Sequence, residues 1–373
     1  MVNWTDHGEV FNATVGTTWA TLAWAPTVIA RNGKFYLYFG NGNKSIGVAV
    51  SDSPTGPFID AKGSPVITKT LVNANVPWCF DPSVFIDDDG QAYCYFGGSL
   101  AGTDGIENSR VIKLNPDMIS TSGAAVTIAA PGFFEGAHIH TNTVNGVKKY
   151  YFSYFRNSGR STIDYLMSDN PMTGWGNNGI VMRTPINNGT RNNSQSGIFK
   201  FMDKWYIAYH NRKIAIDRAL VDITKQRSIC VDALNYNPDF TIQTVTNTET
   251  GVLQIGSLNP YVRNEGETMA AQSYLLPGIE SNPCSDIDGG RAVTDIDNDD
   301  WIKIAGVDFL DGASSFSARV ASLIDDSTIE LRLDSTNGAL IGTCSIGNTG
   351  GWQNWSTVSC TVSGAIGKHD LYL

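Results

Sequence analysis

The sequence has little of what marks several other classes of protein. Its 26 Lys and Arg residues stand against 36 Asp and Glu residues, a net charge of −10, whereas nucleic-acid binding calls for a basic surface. No apolar run approaches the roughly 20 residues that a membrane-spanning helix requires. The six cysteines include no C-x-x-C pair, which argues against zinc and thioredoxin-type sites. We therefore expect no nucleic acid and no membrane among the partners of this protein.

Helical patterns are also scarce, because long stretches of Ala, Leu, Glu and Lys at helical spacing are absent. Short apolar runs dominate instead, and they are broken by Asn, Asp, Pro and many of the 38 glycines. This pattern predicts an all-β protein with many turns. The 373 residues exceed what one hydrophobic core ordinarily supports, so we expect two domains.

One short strand pattern, apolar and rich in tyrosine, recurs at intervals of 57, 58 and 55 residues. Each copy follows a turn and is preceded by a second apolar strand. The four copies are Lys34–Tyr38, Gln91–Tyr95, Lys149–Tyr154 and Lys204–Tyr209. Hairpin-rich units of this period are typical of β-propeller blades, whereas the strands of a β-sandwich would not repeat so regularly. The sequence therefore predicts a β-propeller with four visible blades.

The repeat ends near Ile242, and the composition then changes. We assign residues 1–246 to the propeller and residues 247–258, which are rich in Thr, Asn and Gly, to a linker. Residues 259–373 contain shorter strands joined by turns rich in Gly, Asp and Asn. These features predict a second domain that is a β-sandwich of the jelly-roll type.

Two acidic residues, Asp81 and Glu135, occupy what we interpret as matching points of consecutive blades, near the start of the innermost strand. Aromatic residues flank both of them, and an apolar setting raises the pKa of a carboxyl group, as a proton donor requires. Cleavage of a glycosidic bond uses one carboxylic acid for the leaving oxygen and a second carboxylate for water or for the sugar. Each residue alone could be a turn or strand-edge carboxylate, but the pair predicts a glycoside hydrolase site.

Ordered motifs along the first domain support this interpretation: Trp24-Ala25-Pro26, Ile46–Phe58, Phe80–Gly90 and Phe133–Gly136. Together they resemble glycoside hydrolase family 43, and its arabinoxylan arabinofuranohydrolases in particular. The resemblance implies a five-bladed propeller and an inverting mechanism that requires no cofactor. It implies that Glu135 is the general acid and that Asp81 orients the substrate and tunes the pKa of the acid. It also implies that Trp24 and Arg227 contact the sugar and that Phe155, or alternatively Tyr154, supplies an apolar wall of the substrate site.

The sequence departs from the family pattern in two places. The family's general base is an Asp of the first blade, before the segment that corresponds to Asn3–Gly8. We therefore expect this domain to lack its first blade and the base, and we interpret Asp6 as a surface turn residue. The family often has His residues near a bound ion before the last repeat, but residues 192–197 read Asn-Asn-Ser-Gln-Ser-Gly. The usual metal site is not expected there.

The second domain carries motifs of its own: Glu265–Ala270, Ile296–Ile302, Val307–Phe309, Phe316–Ala321 and Thr349–Trp352. They resemble carbohydrate-binding module family 6, whose members bind xylan or other β-glycans by stacking sugars on exposed aromatic rings. The resemblance implies that Trp352 is such a ring, with Trp355 as the alternative. It also implies that Glu267 is a ligand of a structural calcium ion. We expect this module to lack its last strand.

The two resemblances imply a secreted glycoside hydrolase that releases arabinofuranose from arabinoxylan or from arabino-xylo-oligosaccharides. Two alternatives remain open at this point: a β-xylosidase of the same family, and a non-catalytic xylan-binding protein, because the base is absent. Strand edges left by missing elements need cover, so we expect either a homo-oligomer or a monomer whose blades close on themselves. Cys344 and Cys360 flank a turn-rich stretch, and whether they form a disulfide stays open because sequence does not show the distance between their Cβ atoms.

Overall fold

The structure is a computed structural model and describes residues 3–100, 105–157, 161–183, 186–187, 190–191, 195–217, 219, 226–248, 250–273, 278–287 and 289–373. It divides into two compact units: Glu9–Gly251 form the larger one, and Met1–Gly8 with Val252–Leu373 form the smaller one. The helices of the described residues, α1 (Ala13–Gly16) and α2 (Lys213–Asp217), are single turns. Neither has the length and apolarity that crossing a membrane requires.

Four antiparallel sheets of three to five strands follow one another along the described part of the larger unit. The first contains β1 (Trp24–Arg31), β2 (Lys34–Gly40), β3 (Ser45–Ser51), β4 (Ile59–Asp60) and β5 (Ile67–Thr68). The second contains β6 (Ser83–Ile86), β7 (Ala92–Gly97), β8 (Ser109–Leu114) and β9 (Thr121–Ile128). The third contains β10 (Phe133–Val144), β11 (Val147–Arg156), β12 (Thr162–Ser168) and β13 (Gly176–Arg183). A small hairpin of β14 (Ile186–Asn187) and β15 (Thr190–Arg191) precedes the fourth sheet, which contains β16 (Ser196–Phe201), β17 (Lys204–Asn211) and β18 (Ser228–Leu234).

The first strands of the four sheets stand side by side, since β1 contacts β6, β6 contacts β10 and β10 contacts β16. Successive sheets also share apolar cores. Tyr38 of the first sheet packs in one cluster with Cys94 of the second, and Tyr95 of the second packs in another with Phe152 of the third. A third cluster joins Tyr165 to the fourth sheet. Sheets that pack face to face around their first strands are the blades of a β-propeller, which confirms the predicted fold class.

The smaller unit is a β-sandwich, as predicted. Its strands are β19 (Ala271–Gln272), β20 (Glu280–Pro283), β21 (Arg291–Thr294), β22 (Ile302–Asp308), β23 (Ala313–Val320), β24 (Ser327–Leu333), β25 (Leu340–Ile346), β26 (Ser356–Ala365) and β27 (Lys368–Tyr372). One sheet has the order β19-β22-β27-β24-β25, β23 pairs with β26, and β20 pairs with β21. A disulfide joins Cys344 of β25 to Cys360 of β26, so the pairing that the sequence left open links strands of different sheets.

The C-terminal segment of the described chain forms an inner strand of its sheet, and the expectation that the module lacks its last strand stays a prediction. The last strand, β27, is hydrogen-bonded to β22 on one side and to β24 on the other. It lies inside its sheet because Leu371 is buried and packs into the core of the unit with Val307 and Leu333. The edge strands of this sheet are β19, which has two residues, and β25, which has seven.

The segment Asn3–Gly8, which we had assigned to the propeller, is part of the sandwich unit. The side-chain amide of Asn3 donates to the carbonyl of Ala305 (2.9 Å) and accepts from its N–H (2.8 Å). The carboxylate of Asp6 forms an ion pair with Arg291 (3.1 Å). These contacts hold the segment against the sandwich, and the ion pair gives Asp6 a structural partner.

Candidate active site

The innermost strands of the first three sheets share an unusual backbone feature at their entry. Ala25, Asp81 and Gly136 adopt left-handed backbone conformations, with φ of 42°, 51° and 74°. Two residues after each of them, regular pairing with the second strand of the sheet begins or resumes, at Thr27, Ser83 and His138. A residue other than glycine at positive φ is strained, and such strain concentrates at functional sites.

This feature corrects the match that we drew between the two carboxylates. By backbone conformation, Asp81 is equivalent to Gly136, and Glu135 stands one position earlier, where the first sheet has Trp24. The predicted equivalence was therefore wrong by one residue. The reason is that the left-handed residue sets the register of each inner strand, and the sequence does not show φ.

Asp81 meets the segment around Glu135 directly. Its Oδ2 accepts a hydrogen bond from the backbone N–H of Gly136 (2.8 Å) and a second from Nε2 of Gln195 (2.7 Å). Asp81 precedes β6, Gly136 lies in β10, and Gln195 directly precedes β16. Segments of three successive sheets thus meet at this one oxygen atom. Asp81 is buried, with 3% of its surface exposed.

Burial makes Asp81 hard to ionise. Its removal from water and, second, the negative charge of Glu135 raise the pKa of Asp81 from 3.8 to about 7. The hydrogen bonds from Gln195 and Gly136 act in the opposite direction, because donors stabilise a charged carboxylate. Neighbouring carboxyl groups titrate as a pair, so one keeps its proton while the other is charged. This division of roles is what general acid catalysis requires of two carboxyl groups.

Aromatic rings line the backbone around the two acids. Trp78 lies edge-on to Phe80 and to Phe134, with ring centroids 5.4 and 5.8 Å apart, and Phe134 lies edge-on to Phe155 at 6.1 Å. Phe80 and Phe134 directly precede Asp81 and Glu135 in the chain, and Phe155 is paired with Glu135 across β10 and β11. The rings provide the apolar surroundings that the flanking residues predicted. Phe155 itself is buried, with 6% of its surface exposed.

Trp24 borders the same region, whereas Arg227 is not brought to it. Trp24 is 47% exposed at the start of β1. Its carbonyl oxygen and the Cβ of Phe80 crowd Gly40 so closely that a Cβ on Gly40 would lie 3.2 Å from Phe80. Arg227 is exposed and donates to the carbonyl of its neighbour Gln226. No recorded contact of the described residues places Arg227 beside either carboxylate.

Comparisons with known proteins agree with this geometry. The family model "Glycosyl hydrolases family 43" matches residues 1–242, and the model "Carbohydrate binding module (family 6)" matches residues 265–373. An arabinoxylan arabinofuranohydrolase of Bacillus subtilis (strain 168) is 39% identical, over 100% of this chain and 77% of the relative. The chain belongs to glycoside hydrolase family 43. It also carries a family 6 module, so both predicted resemblances are confirmed.

Two further comparisons extend over the whole chain. An arabinoxylan arabinofuranohydrolase of Paenibacillus polymyxa is 37% identical over 100% of this chain, which spans 62% of that relative's length. A crystal structure of a family 43 arabinoxylan arabinofuranohydrolase from Bacillus subtilis, in complex with cellotetraose, is 38% identical. It matches with a TM-score of 0.88 over 100% of this chain and 81% of the crystallised chain. The protein is therefore a glycoside hydrolase.

Two contributors to this family 43 site were not predicted from the sequence, Gly136 and Gln195. Gln195 belongs to the stretch 192–197, in which we noted only that the His residues of the family are missing. Residues 192–194 lie outside the described part of the chain, while Gln195 lies inside it. One signal was available: Gln195 stands just before the inner strand of the fourth repeat, as Asp81 stands before the inner strand of the second.

His138 fixes the strand that follows Gln195. Its Nε2 accepts a hydrogen bond from the backbone N–H of Ile198 in β16 (2.9 Å). Burial lowers the pKa of His138 to about 4, so the ring is neutral at neutral pH and acts as an acceptor. The contact joins β10 to β16 and thereby sets the position from which Gln195 reaches Asp81.

In the family 6 module, the two candidate tryptophans differ in exposure. Trp352 is 58% exposed on the loop between β25 and β26. Thr349 ties this loop to Ser322, since its N–H donates to the carbonyl of Ser322 (2.8 Å) and its Oγ1 accepts from the N–H of Ser322 (2.9 Å). Trp355 is less exposed than Trp352, since it is half-buried, and its Nε1 donates to Oε1 of Gln353 (3.4 Å).

Glu267, the predicted calcium ligand, is 6% exposed, and its Oε2 has no hydrogen-bond partner among the described residues. Burial, followed by the charges of Glu265 and Asp6, raises the pKa of Glu267. The described part of the chain contains no group of three or more His, Cys, Asp or Glu residues arranged to hold a metal. Calcium also accepts backbone carbonyl oxygens as ligands. Glu267 therefore fits one ligand of such an ion, but the side chains do not supply a complete set.

The raised pKa of Asp81 predicts a stability difference that depends on pH. Between pH 3.8 and about 7 the folded protein holds a proton on Asp81 that the unfolded chain releases, so stability falls as pH rises through this window. Asp81→Asn cannot ionise, and we expect its stability relative to the unmodified protein to rise across the same window. The gain is at most about 4 kcal/mol, since one pKa unit corresponds to about 1.4 kcal/mol.

Urea denaturation at pH 4, 6 and 8 measures this difference, with the exposed Asp203→Asn as the matched control. A difference between Asp81→Asn and the unmodified protein that stays constant from pH 4 to pH 8 would contradict the buried environment of Asp81.

Proposed function

We propose that this protein is an inverting glycoside hydrolase that releases arabinofuranose from arabinoxylan or from arabino-xylo-oligosaccharides, with Glu135 as the general acid and Asp81 as its charged partner. The observation that carries the proposal is the hydrogen bond from Gly136, the residue after Glu135, to the buried carboxylate of Asp81. The names of the relatives that match the whole chain support the choice of substrate.

The two acids differ in a way that suits these roles. Glu135 is partly exposed and can reach a substrate, whereas Asp81 is buried and bound to two donors. Those donors stabilise the charged form of Asp81, and its negative charge in turn favours a proton on Glu135. In its charged form Asp81 would thus favour the protonated acid, and it orients the segment that carries the acid.

In the proposed reaction the bond between the anomeric carbon and the leaving oxygen breaks. The leaving oxygen takes the proton of Glu135 as water attacks the anomeric carbon from the opposite face. The proton of that water passes to a base, a role that the resemblance assigns to no residue of this sequence. Aromatic rings beside the acids exclude water from the proton-transfer step, and the half-exposed Trp24 offers a ring face to the sugar.

Glu135→Gln tests the general acid. An amide cannot donate the proton, so we expect release of arabinose from arabinoxylan to fall by about 10²–10⁴-fold. The loss should be smaller on nitrophenyl arabinofuranoside, because nitrophenolate leaves without protonation. Sugar release measured by chromatography gives both rates, and Glu107→Gln, an exposed site in the same unit, is the matched control.

Retention of a tenth of the activity on arabinoxylan would remove Glu135 from the acid role. Release of xylose in place of arabinose by the unmodified protein would assign it to the β-xylosidases of the family. Binding to insoluble xylan without release of either sugar would make it a xylan-binding protein.

We also propose that Trp352 stacks on xylan and delivers the enzyme to the polymer. We expect Trp352→Ala to weaken retention on insoluble xylan, because one aromatic stacking contact contributes about 1 kcal/mol or more, and to leave turnover of nitrophenyl arabinofuranoside unchanged. Binding isotherms and initial rates check the two expectations, with the exposed Leu310→Ala of the same unit as control. Equal losses on polymer and small substrate would show that Trp352 supports the fold.

Finally, we propose that Glu267 binds a structural calcium ion together with backbone carbonyl oxygens. Its Oε2 is buried and has no hydrogen-bond partner in the described part of the chain, which supports this assignment. Calcium should then raise the melting temperature of the unmodified protein, and chelation by EDTA should abolish the increase. Glu267→Gln should melt at the same temperature with and without calcium. An equal response of the variant and the unmodified protein would exclude Glu267 as a ligand.

A further inference from the structure

The proposed mechanism needs a charged Asp81 beside a protonated Glu135, and the surroundings of Asp81 oppose its charge. The residue is buried, and the neighbouring carboxylate repels a second negative charge. Two hydrogen-bond donors offset these effects. One is the backbone N–H of Gly136, which every amino acid except proline would supply, and the other is the side chain of Gln195.

We propose that Gln195 is a positioning residue, whose amide N–H orients the carboxylate of Asp81 and stabilises its charged form beside Glu135. The proposal rests on the proposed function, in which Asp81 acts through the acid. Gln195 suits this task because an amide donates at every pH and carries no charge of its own. A carboxylate or an imidazole in its place would add a third titrating group to the site.

The strand that follows Gln195 fixes the position of its side chain relative to Asp81. The donor and acceptor lie 2.7 Å apart although 114 residues separate them in the chain. The residue that follows Gln195 begins β16, and His138 of β10 holds that strand through Ile198. Among the described residues, the charged group that raises the pKa of Asp81 is Glu135 of β10. The other titratable residues of β10, His138 and His140, are neutral because burial lowers the pKa of each.

A stability experiment tests the contact without any need for activity. Gln195→Met removes the donor and keeps the length of the side chain, so the folded-state pKa of Asp81 should rise further. The unmodified protein ionises Asp81 near pH 7, and the variant should do so about one to two pH units higher. The variant should therefore lose additional stability only above pH 7, and this additional loss should vanish when both proteins also carry Asp81→Asn.

Urea denaturation from pH 5 to pH 9 in the two backgrounds measures this effect, and the exposed Gln243→Met is the matched control. A loss of stability that is the same at every pH, or the same with and without the Asp81→Asn substitution, would reduce Gln195 to a packing residue and overturn the proposal.

Kinetics supply a second test through a pair of variants. Gln195→Glu has almost the shape of glutamine but cannot donate when ionised, and it adds a negative charge. We expect the acidic limb of the profile of kcat/KM against pH to move upward by about one to two units in Gln195→Met and further in Gln195→Glu. In both variants kcat should fall by about ten- to a hundredfold, with KM changed less than about threefold.

The uncharged variant separates positioning from shape. If Gln195 only filled space, Gln195→Met, which keeps the length of the side chain, would show the pH profile and kcat of the unmodified protein, which would overturn the proposal. A protein that releases no sugar would defeat the proposed function, and the urea experiment would still decide the role of Gln195.

Discussion

The hydrogen bonds to Oδ2 of Asp81 are the constraint on which the site depends. A buried carboxylate is costly unless its oxygen atoms are satisfied, and the donors here come from the third and fourth sheets of the propeller. The relative positions of three blades therefore determine the hydrogen bonds to this one oxygen atom. A shift of β10 or β16 by an ångström would lengthen a hydrogen bond to Asp81, so the cores between the blades help to set the charge state of this side chain.

The fold of this protein was easier to predict from the sequence than its site. Repeated strands at a regular interval, each followed by a turn, leave few alternatives to propeller blades, and the order of the motifs identified the family. Asp81 and Glu135 were found because aromatic residues flank them within their own segments. Such local signals are visible in one sequence.

The parts of the site that depend on backbone conformation or on distant segments were not visible. The relation between Asp81 and Glu135 was wrong by one residue, because the left-handed φ of Asp81 fixes the register and no residue type demands it there. Gln195 escaped notice because it comes from another blade and glutamine has no characteristic catalytic role. The place of Asn3–Gly8 was missed for a similar reason, since its partners lie about 300 positions further along the chain.

That segment changes how the two units are related along the chain. Because Asn3–Gly8 packs with residues after Val252, the described chain leaves the smaller unit near Gly8, forms the larger unit over Glu9–Gly251, and then returns to the smaller one. Within the described chain, the larger unit is therefore joined to the smaller one at both of its ends. A cut within residues 247–258 would leave Asn3–Gly8, which bonds to Ala305 and Arg291, on a different fragment from the rest of the smaller unit.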